Sequence, residues 1–138
     1  PRIREKIKIL NNVADADLAW LYKNALFTLF PSLYEGWGLG VGESLAAGKF
    51  CLCSNAASLP EVGGDFVEYL DPWDVQAWAN RLEHYLSHHD DLAERERRIR
   101  EQYMPPAWRD TAAMVFDRAR GLLASAPSPS AGRNQGTG

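Results

Sequence analysis

A chain of 138 residues is long enough for one domain with a single core and too short for two ordinary ones. Its 46% hydrophobic and 24% charged residues are the balance of a soluble globular protein and exclude wholesale disorder. With 15 Lys plus Arg against 18 Asp plus Glu, no surplus of positive charge exists to neutralise a phosphodiester backbone, so nucleic acid is not an expected partner.

The N-terminal Pro1-Arg2-Ile3-Arg4 lacks the apolar stretch of a signal peptide, and no apolar run approaches the roughly 20 residues of a membrane-spanning helix. The expected location is the cytoplasm. A start at Pro1 rather than Met reads as a piece of a longer chain.

Short apolar runs alternate with helical stripes along the chain, the pattern of an α/β domain in which helices flank a parallel sheet. Ile7 to Leu10 reads as a short strand. Asp15 then offers an N-cap for a helix whose Leu18, Leu21, Tyr22 and Ala25 recur at helical spacing. Leu26 to Phe30 is an apolar run of buried-strand length, closed by Pro31. The segment Glu35-Gly36-Trp37-Gly38-Leu39-Gly40-Val41-Gly42-Glu43 is a glycine-rich loop feeding a helix, Ser44 to Ala47, that Gly48 stops.

Phe50 to Ser54 reads as the next strand. Its Cys51 and Cys53 share one face and are too close for an ordinary disulfide loop, so they read as buried thiols of a reduced protein. Ser58-Leu59-Pro60-Glu61 has the spacing of a capping box, and Phe66 to Leu70 alternates like an edge strand that Asp71-Pro72 ends. Beyond this the pattern is helical, with Trp78, Leu82, Tyr85 and Leu86 as one stripe. Leu92 to Tyr103 follows as a helix whose mixed charges form a solvated face with i,i+4 pairs. The expected division is a partial Rossmann-like domain over 1–104, a C-terminal helix over 105–125 after Pro105-Pro106, and a disordered tail over 126–138.

The glycine loop carries the chemistry. Backbone N–H groups uncovered by side chains at a helix start make a site for phosphate oxygens. The dinucleotide pattern G-x-G-x-x-G fails, because from Gly38 and Gly40 it needs Gly or Ala where Glu43 stands. The P-loop fails as well, since Gly48-Lys49 is followed by Phe50 and ends a helix rather than starting one. What remains is an anion site bracketed by Glu35 and Glu43. An ionised carboxylate only accepts, so each pairs naturally with vicinal hydroxyls, and a phosphate flanked by two polyols describes a nucleotide sugar.

At these residues the sequence resembles the group 1 family of retaining glycosyltransferases, whose signature is a Glu-x7-Glu motif around Gly-Phe/Trp-Gly-Leu-Pro. It stands here from Pro31-Ser32-Leu33-Tyr34-Glu35 to Glu43-Ser44-Leu45-Ala46-Ala47-Gly48. The likeness extends upstream through Val13-x-Asp15-x-x-Leu18-x-x-Leu21-Tyr22 and downstream through Ser54-Asn55 and Ser58-Leu59-Pro60-Glu61-Val62-Gly63-Gly64-Asp65 to Asp71-Pro72, and it spans roughly residues 7 to 124. Gly40 stands where the family usually has Pro, a departure expected to loosen the loop without removing a donor.

The resemblance implies the donor-binding second domain of a fold with two Rossmann-like domains, here in part. It implies transfer of a sugar from a nucleoside diphosphate sugar to an acceptor hydroxyl with retention. Glu35 would lie against the transferred sugar, with backbone contacts from Gly36, Trp37 and Gly38. Leu39, Gly40 and Val41 would hold the diphosphate through their N–H groups, and Glu43 would accept from the ribose. Val13 backbone and Asp15 are the candidates for base contact. No metal and no cofactor is implied. The glycan or lipid-linked acceptor, and any peripheral attachment to the inner membrane, would belong to the absent N-terminal domain. A basic Arg and Lys pair that relatives use would lie upstream of this segment, and the isolated chain is therefore expected to be inactive. The motif looks most like bacterial enzymes of polysaccharide or O-antigen assembly, some of which use GDP-mannose.

Rival readings attach to the same residues. Asp15-Ala16-Asp17 has the spacing of a divalent-cation motif but opens an amphipathic helix, where acidic residues are stabilised by the dipole. His84 and His88 stand at i,i+4 and could grip zinc, yet read better as the end of a surface helix. A glycosidase would use the two Glu as acid and base but needs no N–H cradle. A non-catalytic nucleotide-binding module would keep the loop and ignore the sugar.

Overall fold

The computed structural model describes residues 3–125, which fall into two units divided between Pro105 and Pro106. The expected tail over 126–138 lies outside the described residues.

The first unit is α/β and Rossmann-like. Its strands β1 (Thr28–Phe30), β2 (Cys51–Ser54) and β3 (Glu68–Leu70) form a parallel sheet in the order β1-β2-β3. Thr28 stands opposite Cys51 and Phe30 opposite Cys53, while Leu52 pairs with Glu68 and Ser54 with Leu70. Helices α1 (Asp15–Asn24), α2 (Leu39–Ala46), α3 (Leu59–Gly63), α4 (Val75–Ser87) and α5 (His89–Gln102) connect and cover the strands. Every residue of β2 is buried, as a central parallel strand covered on both faces must be, and Cys51 and Cys53 are free thiols within it.

Val41 and Leu45 of α2, Leu59 of α3, Trp78 and Tyr85 of α4, and Leu92 and Ile99 of α5 pack with Phe50 and Leu52 into one core. Each such side chain stabilises the fold by roughly 1.5–3 kcal/mol. Polar groups inside it are paired. The buried Ser44 hydroxyl lies 2.7 Å from Thr28 Oγ1 and donates to the Lys49 carbonyl, locking α2 to the sheet. Gly48, with φ of 74°, ends α2 in a Schellman turn: its N–H donates to Leu45 O and that of Lys49 to Ser44 O.

The far edge of the sheet is held by charge. Glu68 of β3 accepts from Arg81 Nη2 at 2.7 Å and from the Tyr85 hydroxyl, and Arg95 Nη2 of α5 stands 3.4 Å away. Burial pushes the Glu68 carboxyl up, but the bonds from Arg81 and Tyr85 and the charges of Arg81 and Arg95 outweigh it and hold it below its ordinary range. On α5 the pairs Arg97–Glu101, Arg100–Glu96 and Arg95–Asp91 follow the i,i+4 spacing the sequence implies.

Several expectations are corrected. Ile7 to Leu10 forms no strand and stays exposed, because none of its backbone groups finds a ladder partner. Asp15 is the first residue of α1 rather than its cap; Ala14 holds that place and no side chain caps the end. The strand expected from Leu26 begins at Thr28, and its Leu29 is exposed on the edge of the sheet. The helix after the glycine loop starts at Leu39, well before Ser44. Ser58 makes no capping bond to α3, because its hydroxyl is used elsewhere. Leu86 falls off the buried stripe of α4.

The second unit contains α6 (Trp108–Ser125), in which Arg120 pairs with Asp117 and lies over the Phe116 ring.

Candidate functional site

In a parallel sheet the loops leaving the carboxyl ends of the strands are where ligands bind. Here β1 runs out at Phe30 into the glycine loop, and β2 runs out at Ser54 toward Ser58. The two exits are tied together by serines. Buried Ser54 donates its hydroxyl to the Ser32 carbonyl, Ser32 Oγ donates to Glu35 Oε1 at 2.7 Å, and Ser58 Oγ donates to the Glu35 carbonyl at 3.0 Å. Glu35 itself is half-buried.

Gly38 caps α2 with φ of 86°, a left-handed conformation, and a Cβ there would run into the Leu59 side chain. At Gly36 a Cβ would meet nothing within 4 Å, so packing does not account for that glycine. The first turn of α2 presents the N–H groups of Leu39 and Gly40, which find no acceptor among the described residues. The Val41 N–H is different: it donates to Gly38 O at 3.1 Å, which takes it out of the expected set of three free donors. Trp37 stays more than half exposed, so its indole does not pack beneath the loop.

Between α1 and α2 lies a cavity of about 560 Å³ walled by Asp15, Leu18, Tyr22, Lys23, Glu43 and Ala47, among others. That is within the size range of small-ligand pockets. The apolar stripe of α1 therefore lines a groove instead of entering the core, and α1 contains no buried residue. The groove brings Asp15 and Glu43 together from distant parts of the chain. Val13, half-buried just ahead of α1, and Glu35 with Gly36, Trp37, Gly38, Leu39, Gly40 and Val41 of the loop do not line it. Tyr22 faces Glu43 there. Burial first, and then the hydrogen bond and charge of Glu43, push its hydroxyl up to about 12.

Tyr22, Ser32 and Ser54 were not singled out by sequence reasoning as site residues. Tyr22 stood only in a helical stripe, and the serines carried no signal beyond their place beside the motif. Neither rival metal reading gains a ligand set: His84 pairs with Asp91 at 2.9 Å, His88 turns back to its own helix, and no cluster of metal-ligating side chains occurs among the described residues. No helix among those residues is long and apolar enough to cross a membrane.

Comparison with known proteins gives the family of the chain. Residues 2–103 match the family described as glycosyl transferases group 1. The chain is 46% identical over 71 residues to O-antigen chain mannosyltransferase B of Escherichia coli, covering 51% of this chain and 19% of that protein. It is 32% identical over 133 residues to the serotype-specific mannosyltransferase WbdA of Escherichia coli, covering 96% of this chain and 16% of the relative. An MMP alpha-(1->4)-mannosyltransferase of Mycolicibacterium hassiacum is 34% identical over 76 residues, 53% of this chain and 18% of its own length. The chain thus spans less than a fifth of the length of each of these relatives. A match over residues 2–103, coinciding with the unit that holds the glycine loop and both carboxylates, assigns the chain to the group 1 glycosyl transferases.

Proposed function

We propose that this chain forms the donor site of a hexosyltransferase that moves a sugar, mannose by preference, from a nucleoside diphosphate to an acceptor hydroxyl with retention, in the assembly of a bacterial polysaccharide such as O-antigen. The observation that carries the reading is the convergence of Asp15 and Glu43 on one groove between α1 and α2. Separately, the Leu39 and Gly40 N–H groups at the start of α2 have no acceptor among the described residues. The matched family and the mannosyltransferase names of the relatives support the reaction class.

In this reading the nucleoside enters the α1–α2 groove, with Asp15 and the Val13 backbone toward the base and Glu43 accepting from the ribose hydroxyls. The diphosphate sits on the two free N–H groups at the positive end of α2. Glu35 reaches the transferred sugar, with Gly36, Trp37 and Gly38 offering backbone contacts. As the bond from sugar to diphosphate breaks, negative charge grows on the leaving oxygens, and fixed amides that need no reorganisation favour that state over the ground state. The acceptor and the additional basic groups come from the rest of a two-domain enzyme, so this chain alone does not turn over donor.

A panel of nucleotide sugars titrated against the full-length protein tests the proposal. Saturable binding of GDP-mannose or another nucleotide sugar, lost in Glu43→Ala, is expected. Binding of none of them, or binding indifferent to Glu43, overturns it.

A further inference from the structure

Glu35 is held at both its side chain and its backbone. Its side chain accepts from Ser32 Oγ at 2.7 Å and its carbonyl from Ser58 Oγ at 3.0 Å, so both the carboxylate and the backbone beneath it are restrained. Ser32 is restrained in turn by Ser54, whose hydroxyl is wholly buried at the end of β2 and spends its proton on the Ser32 carbonyl. Two serines thus hold Glu35 directly, and a third holds Ser32 in turn.

We infer that Ser32 is a positioning residue that presets the Glu35 carboxylate for the donor's sugar ring, an inference that rests on the donor-site reading above. A hydroxyl that donates to one carboxylate oxygen holds the group in one orientation. With Oε1 engaged by Ser32, Oε2 is the oxygen turned over to hydroxyls of the sugar. A glutamate on an exposed loop would otherwise sample many rotamers, and each would have to be given up on binding. Restraining it beforehand places the sugar against the diphosphate in one orientation, which is what transfer at a single carbon demands. Ser54 and Ser58 serve the same end indirectly, by holding the loop to the sheet and to α3.

The consequence separates sugar from nucleotide. Ser32→Ala in the full-length protein is expected to weaken GDP-mannose about tenfold, the effect of one lost charge-assisted hydrogen bond, while GDP, which has no sugar to meet Glu35, binds as before. Ser32→Thr, which keeps the hydroxyl, is expected to regain most of the loss. Equal weakening of GDP and GDP-mannose would show Ser32 to be a loop staple and nothing more, and unchanged binding of both would also overturn the inference. Glu35→Ala, measured in parallel, tells the two failures apart. If it abolishes the preference for GDP-mannose over GDP and Ser32→Ala does not, only the positioning role falls. If it too leaves that preference intact, the donor-site reading falls with it.

Discussion

The ring of Phe30, at the end of β1, occupies the space into which a Cβ on Gly40 would project, and the Tyr22 hydroxyl lies 3.1 Å from the same point. The family's usual proline at this place carries both a Cβ and no N–H. Gly40→Pro is therefore expected to destabilise the fold by about 1–3 kcal/mol through overpacking. Combining it with Phe30→Ala should relieve the clash, so the double variant loses less than the sum of the two single ones, measured by urea unfolding. Strict additivity would show that the two sites do not share the space.

Two glycines of the loop should respond oppositely to alanine. Gly38→Ala meets both a left-handed backbone and the Leu59 side chain, and should cost about 1–3 kcal/mol of stability. Gly36→Ala meets no neighbouring atom and should leave the unfolding midpoint unchanged while weakening the sugar nucleotide, because the added methyl stands where the donor is proposed to approach. Unaltered binding by Gly36→Ala would remove the backbone contact assigned to Gly36.

How much of this is legible in the sequence depends on whether a residue's role is local. β2 and the loop into α2 can be read because a short apolar run and a cluster of glycines announce themselves within a few residues. Ser58 reads as a capping residue from its spacing to Glu61, yet its hydroxyl goes to Glu35 far back in the chain, and no local pattern carries that information. Ile7 to Leu10 has the composition of a strand but no ladder to join. Tyr22 is indistinguishable from any other stripe residue until α1 and α2 are set side by side. Glu35 and Glu43 are legible through the family motif, whereas the serines that hold Glu35 emerge only from tertiary contacts.

Removing Glu68 should be far more damaging than removing any exposed acid on α5. Arg81, Tyr85 and Arg95 all converge on it, and without it Arg81 faces a partly buried site with no counterion while Arg95 keeps only Asp91. Glu68→Ala is expected to cost about 3 kcal/mol. Glu101→Ala, whose Arg97 partner is in water, should leave unfolding nearly unaltered. Similar losses in the two variants would deny the network its role in fastening α4 and α5 to β3.

Stability should fall at both ends of the pH scale for opposite reasons. Tyr22 and Tyr85 have hydroxyls raised to about 12 by burial first and then by Glu43 and Glu68 respectively. A folded-state value above the ordinary one means stability that is intact below pH about 10 and drains away as pH rises toward about 12. Glu68, held low in the fold, contributes stability above the ordinary carboxylate range that is lost as the pH drops below it. Urea midpoints measured across the scale should decline in both directions. In Tyr22→Phe the alkaline decline should be shallower, and an unchanged slope would show that Tyr22 does not titrate with unfolding.

The central claim is that one carboxylate serves the nucleoside and the other the sugar. Titrating GDP and GDP-mannose into the full-length protein and its Glu43→Ala and Glu35→Ala variants tests it most directly. Glu43→Ala should weaken both ligands by a similar factor, and Glu35→Ala should weaken GDP-mannose alone. If Glu35→Ala weakened GDP as strongly as GDP-mannose, or if Glu43→Ala left GDP untouched, the division of the site between Glu35 and Glu43 would be contradicted.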